Sequence, residues 1–93
     1  MHRIAKALAD KRRFEILSAI STCEDTPCRS LVTRFPISQA TVSHHLKELT
    51  AAGLVEVHRE GQARFYCLRK AVLAEYLDAV QGKLGCEGAG VKR

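Results

Sequence analysis

With 93 residues, 46% of them hydrophobic and 27% charged, the chain is sized for one domain with a modest core, and its composition excludes wholesale disorder. No apolar run approaches a membrane span and Met1-His2-Arg3-Ile4 lacks a signal-peptide core, so a cytoplasmic protein without a membrane partner is expected. Fifteen Lys and Arg against ten acids give a net charge of +5 and a pI of about 9.3, which favours a polyanionic partner, while two tyrosines, three phenylalanines and no tryptophan argue for duplex DNA over a single-strand stacking platform.

Ile4, Ala5, Leu8 and Ala9 recur at helical spacing and predict a short first helix that must pack on another. Asp10 is placed to cap a second helix from Lys11 to Ile20, with Phe14, Leu17 and Ile20, and also Ile16, on its core side. Lys11, Arg12 and Arg13 set three cations against the positive end of that helix, unfavourable by about 0.3 kcal/mol or more each where exposed. Phosphate contact is one role for them; a solvated cluster, or an internal pair with Glu15 or Asp25, is the other.

Ser21 to Thr26 reads as a polar loop. Thr26-Pro27 then reads as an N-cap followed by proline at the first helical position, opening a third helix that runs to about Phe35 and buries Leu31, Val32 and Phe35. Pro36 ends it. Only Pro36 and Ile37 precede the next cap, Ser38, so the third and fourth helices form a helix-turn-helix.

The fourth helix lies between the Ser38 cap and Gly53, with Val42, Leu46 and Leu49 as its buried stripe. A step of about 100° per residue puts Ala40, Ser43, His44 and Lys47 opposite that stripe, with Gln39 and Thr41 on its flanks. Such a face can read a major groove, because Gln pairs with adenine, Ser and His reach base edges or phosphate, and a small Ala allows close approach. An ordinary solvated helix surface has the same look. His45 falls nearer the apolar stripe and is expected to be half buried and hydrogen-bonded.

After Gly53 the period changes to two. Val55 and Val57 alternate with Glu56 and His58, and Ala63, Phe65 and Cys67 alternate with Arg64, Tyr66 and Leu68, around a turn at Glu60-Gly61-Gln62. This predicts a two-stranded wing with Arg59, Gln62 and Arg64 at its tip, suited to phosphates or the minor groove. A charged tip can also protect a strand edge. Cys67 is expected to be core. Lys70 to Gln81 forms a last helix with Val72, Leu73, Tyr76, Leu77 and Val80 on one broad apolar side, and with Ile4 and Leu8 this gives a dimer surface of Ile4, Leu8, Leu73, Tyr76, Leu77 and Val80. The chain thus divides into residues 1–81, a DNA-binding and dimerisation domain, and a loose tail over 82–93 holding four of the six glycines.

Ala7 to Leu17, Ser38 to Leu49, Ala52-Gly53-Leu54-Val55, Arg59-Glu60-Gly61 and Tyr66-Cys67-Leu68 together resemble the ArsR/SmtB family over about residues 4 to 81. The resemblance implies a mainly α fold with a small β-hairpin, a winged helix-turn-helix of four helices, two strands and a closing helix. It also implies a homodimeric repressor on an inverted-repeat operator in double-stranded DNA. Ser38, Gln39, Ser43 and His44 match the family's DNA-reading positions, and residues 59–64 its wing. Metal-sensing members carry a Cys-x-Cys pair at the start of the third helix, or Asp and His along the last. Aligned on Leu31, the paired positions here are Pro27 and Arg29, and the last helix has no histidine, so no metal and no cofactor is expected. Cys28, beside Arg29 at a helix start, and Cys23 nearby form an alternative thiol-sensing pair. A winged-helix module that binds protein instead of DNA is a further alternative. No nucleophile, carboxylate pair or phosphate-cradling loop suggests an enzyme.

Overall fold

The computed structural model describes residues 2–22 and 24–84. The helix α1 (His2–Leu8) leads through Ala9 and Asp10 into α2 (Lys11–Ser21), whose first turn is fixed by the Asp10 carboxylate accepting the Arg13 N–H at 2.9 Å. Ile16, Leu17, Ala19 and Ile20 are buried, but Phe14 is 52% exposed, contrary to expectation. The reason is angular. With Ile16 and Ile20 at the centre of the buried arc, Phe14 lies well outside it, whereas Arg13 falls within it.

Thr26–Pro27 does not open a helix. It forms the short strand β1, and α3 (Cys28–Arg34) begins only after it, with Pro27 at the cap position and no side-chain cap. Thr26 is buried opposite Tyr66, and its hydroxyl has no hydrogen-bond partner among the described residues. The expected hairpin is therefore part of a three-stranded sheet. Phe35, Pro36 and Ile37 make the turn into α4 (Gln39–Ala51), closed by an Ile37 N–H to Phe35 carbonyl bond of 2.8 Å.

Both ends of α4 are tied down. Ser38 Oγ accepts the Thr41 N–H at 3.1 Å. At the other end the Gly53 N–H bonds Thr50 O and the Leu54 N–H bonds Leu49 O, a Schellman closure with Gly53 at φ +81° and both Leu49 and Leu54 fully buried. Val42, Leu46 and Leu49 form the buried stripe as expected, joining Ile16, Ile20, Leu31, Leu54, Val55 and Tyr66 in one core.

β2 (Val55–Glu60) and β3 (Ala63–Leu68) pair antiparallel through a two-residue turn, with β1 on the far side of β3, giving the order β1-β3-β2. Gly61, at φ +65°, takes the first turn position, where a left-handed backbone suits the twist of a hairpin. That register sets Val55 against Leu68, Val57 against Tyr66 and Arg59 against Arg64 on one face. Tyr66, not Cys67, is therefore the core residue of β3, and Cys67 is half-buried on the opposite face.

Finally, α5 (Lys70–Lys83) runs two residues beyond the expected end and carries Gly82 in its last turn. It has no buried residue; Val72 and Leu73 pack on the core, while Tyr76 and Val80 are half-buried and Leu77 is exposed. No helix among the described residues is long and apolar enough to cross a membrane. The tail beyond Leu84, with Cys86, and also Cys23, lie outside the described residues.

Candidate nucleic-acid interface

All ten side chains singled out for DNA contact are exposed: Ser38, Gln39, Ala40, Thr41, Ser43, His44 and Lys47 on or beside α4, and Arg59, Gln62 and Arg64 on the wing. Their hydrogen-bonding capacity differs. Ser38 and Thr41 are partly spent on the cap, where their hydroxyls also meet at 2.9 Å. Gln39, Ser43 and His44 stand free for a partner among the described residues.

Two open clefts flank β3 and share Ser43 and Arg64. One gathers Gln39, Ser43, Gln62 and Arg64 with Cys28, Arg29 and Thr33 of α3. The other, between α4 and the wing, gathers Ser43, Lys47, Arg59 and Arg64. Ala40, Thr41 and His44 line neither and occupy the outer side of the helix. Arg29 and Thr33 were not legible as site residues, because only the packing of α3 against β3 brings them beside Gln39.

The cations of these clefts are uncompensated. Arg59 and Arg64 sit directly opposite each other across the hairpin, a destabilising arrangement of like charges, and neither they nor Lys47 nor Arg29 has an ion-pair partner among the described residues. The other wing face is different. There His58 stacks on Phe65 at 5.5 Å and points Nε2 at Asp25 (3.4 Å) and Glu60 (3.9 Å), while the Cys67 thiol lies 3.7 Å from Glu56. Burial, reinforced by the Glu56 charge, pushes the Cys67 thiol above its ordinary range. The wing thus turns a cationic face toward α4 and a mixed, acidic one away.

The three cations at the start of α2 separate into distinct roles. Lys11 is exposed. Arg12 pairs with Glu15 at 3.0 Å and lies over the Phe35 ring. Arg13 turns inward, its Nε donating to His45 Nδ1 and its guanidinium reaching the Lys6 carbonyl, both at 3.5 Å. His45 is 7% exposed, more buried than expected, and that burial, with the Arg13 and Arg12 charges adding to it, holds its imidazole below the ordinary value of 6.5 against the opposing pull of Asp10. The bond to the Arg13 N–H holds Asp10 below its ordinary value. Cys28 is half-buried at the start of a seven-residue helix; its suggested partner Cys23 lies outside the described residues.

Residues 10–57, more than half of the chain, match the sequence profile of bacterial regulatory proteins of the arsR family. The chain belongs to the ArsR family. It is similar to the arsenical resistance operon repressor of Staphylococcus aureus, with 38% identity over 74 residues, 80% of this chain and 70% of that one. Among solved structures it resembles an ArsR-like transcriptional regulator from Rhodococcus sp. RHA1, with a TM-score of 0.79 at 32% identity over 90% of this chain and 77% of that one. It also resembles a homodimeric winged helix-turn-helix DNA-binding domain from Mycobacterium bovis, with a TM-score of 0.72 at 30% identity over 90% and 77% of the two chains. Like the family, this chain is a DNA-binding transcriptional regulator with a winged helix-turn-helix fold, not an enzyme. In ArsR terms α3 and α4 are its helix-turn-helix and β2–β3 its wing.

Proposed function

We propose that this ArsR-family chain is a cytoplasmic homodimeric repressor that lays α4 in the major groove of an inverted-repeat operator and sets the wing on the flanking backbone or minor groove. The observation that carries this reading is the facing pair Arg59 and Arg64, which joins Lys47 in one cleft beside Ser43 with no internal anion among the described residues. A phosphodiester strand supplies the missing charge. Gln39, Ser43 and His44 are the base-reading groups, and Arg29 and Thr33 add to the backbone contacts from α3. The dimer surface is Ile4, Leu8, Leu73, Tyr76, Leu77 and Val80, consistent with the homodimeric M. bovis relative, and repression follows the S. aureus relative. The DNA-binding and dimerisation domain extends to the end of α5 at Lys83.

Selection of bound duplexes from random-sequence DNA tests the reading. An enriched inverted repeat with half-sites one helical turn apart is expected. Recovery of unenriched sequence would contradict it.

A further inference from the structure

Arg13 breaks two local rules. A cation in the first turn of a helix opposes the dipole, and this one turns toward the core instead of solvent. Its N–H meets the one unprotonated nitrogen of a neutral imidazole that belongs to α4, while its guanidinium touches the last turn of α1 through the Lys6 carbonyl. The same arginine's backbone N–H is held by Asp10. One residue thus links α1, the start of α2 and the middle of α4. On α4, His45 adjoins His44, whose ring lies 5.8 Å away on the outward face.

From this geometry we propose that Arg13 and His45 are positioning residues for DNA reading: their bond sets how α4 is seated on α1 and α2, and so where Gln39, Ser43 and His44 meet the bases. This rests on the DNA-reading assignment above. One bond is made to α4 and the other to α1, so Arg13 ties the two helices together beside the fully buried stripe of Val42, Leu46 and Leu49. If, as proposed, α1 contributes to the dimer surface, the same bonds relate the two recognition helices of a dimer to each other. The groups facing the His45 ring are Asp10, Arg12 and Arg13 from the α2 side and His44 on α4 itself. A proton on Nδ1 removes the acceptor and adds a cation beside two guanidiniums. The Arg13 bond then opens, so discrimination between sequences declines in acid, although the charge gained by His45 adds to the general attraction for phosphate.

The test compares a duplex selected for tight binding with a scrambled duplex of equal composition, at pH 7.5 and 5.5, for the wild type, Arg13→Met and His45→Asn, the last keeping an acceptor that does not titrate. In Arg13→Met the ratio of the two affinities is expected to fall roughly threefold to tenfold at pH 7.5, the range of one hydrogen bond, with scrambled-duplex binding and its salt slope unchanged. Arg13→Lys, which restores a donor, is expected to recover part of the ratio. The wild-type ratio falls at pH 5.5 and that of His45→Asn stays level. Equal weakening on both duplexes with a smaller salt slope would make Arg13 a phosphate contact and overturn the proposal. A His45→Asn ratio that follows the wild type through both pH values would also overturn it. Should His45→Asn not fold, the wild type serves: backbone amide shifts of Gln39 and Ser43 must follow the protonation of the His45 ring, and amides indifferent to it would overturn the proposal. Absence of discrimination by the wild type at pH 7.5 would instead defeat the DNA-reading assignment itself.

Discussion

His45 shows how one buried side chain makes the fold sensitive to pH. Its imidazole is held below 6.5 chiefly by burial, so above pH 6.5 both folded and unfolded chains carry it neutral and its contribution to stability is complete. As the pH falls below 6.5 the unfolded chain takes the proton first, and stability is lost until the folded-state value is passed. Thermal melting at pH 7.5 and 5.5 should therefore give a lower Tm in acid, with a smaller decrease in His45→Asn. A Tm independent of pH over this interval would contradict the assignment. The inward position of His45 was legible in the sequence from its angle to the Val42–Leu46–Leu49 stripe. The inward turn of Arg13 was not, because a charged residue on an apolar arc gains its place only from an acceptor on another helix, 32 positions away. Phe14 failed for the complementary reason: an apolar side chain belongs to the core only if its angle fits, and here the neighbouring Ile16 and Ile20 set the arc.

At the scale of elements, α4 is the best specified because three local signals agree: a serine cap, an apolar stripe and a terminal glycine. Gly53 closes it at φ +81°, with nothing within 4 Å of where a Cβ would stand. Replacement by alanine therefore meets no clash and reports backbone conformation alone, an expected destabilisation of about 1 to 2 kcal/mol by urea denaturation. Unchanged stability would show that the Schellman closure contributes nothing. The wing was legible in its period and its turn, but the core side of β3 was not. Ala63, Phe65 and Cys67 are as apolar as Tyr66 and Leu68, and only the two-residue turn decides that Tyr66 shares a face with Val55 and Val57. The strand β1 was hidden for a different reason. Two residues have no measurable period, and a Thr-Pro pair is as good a helix start as it is a strand, so its pairing with Tyr66 and Phe65 emerges only from the fold.

For the molecule as a whole, the helices are unequally buried: α2 and α4 carry four buried residues each and α5 none. The core draws on Ala7 of α1, on α2, α3, α4 and on the sheet, while α5 adds only Val72 and Leu73 at its margin. Tyr76 and Val80 remain half-buried and Leu77 is 49% exposed. In the proposed dimer a second copy covers this side and adds to the apolar burial of the single chain. Leu77→Asp is thus expected to shift sedimentation toward monomer and to lower the Tm, with the wild-type Tm rising with protein concentration. A wild type that sediments as a monomer at every concentration would contradict the dimer.

The central claim is that α4 reads bases while the wing holds phosphates, and fluorescence anisotropy on a selected and a scrambled duplex over a range of salt concentrations tests it most directly. Gln39→Ala should weaken the selected duplex by roughly 1 to 3 kcal/mol and leave the scrambled one nearly unchanged. Arg64→Ala should weaken both and reduce the salt slope by about 1. If both variants bound both duplexes as the wild type does, with the same slope, neither surface would be meeting DNA and the account would fail.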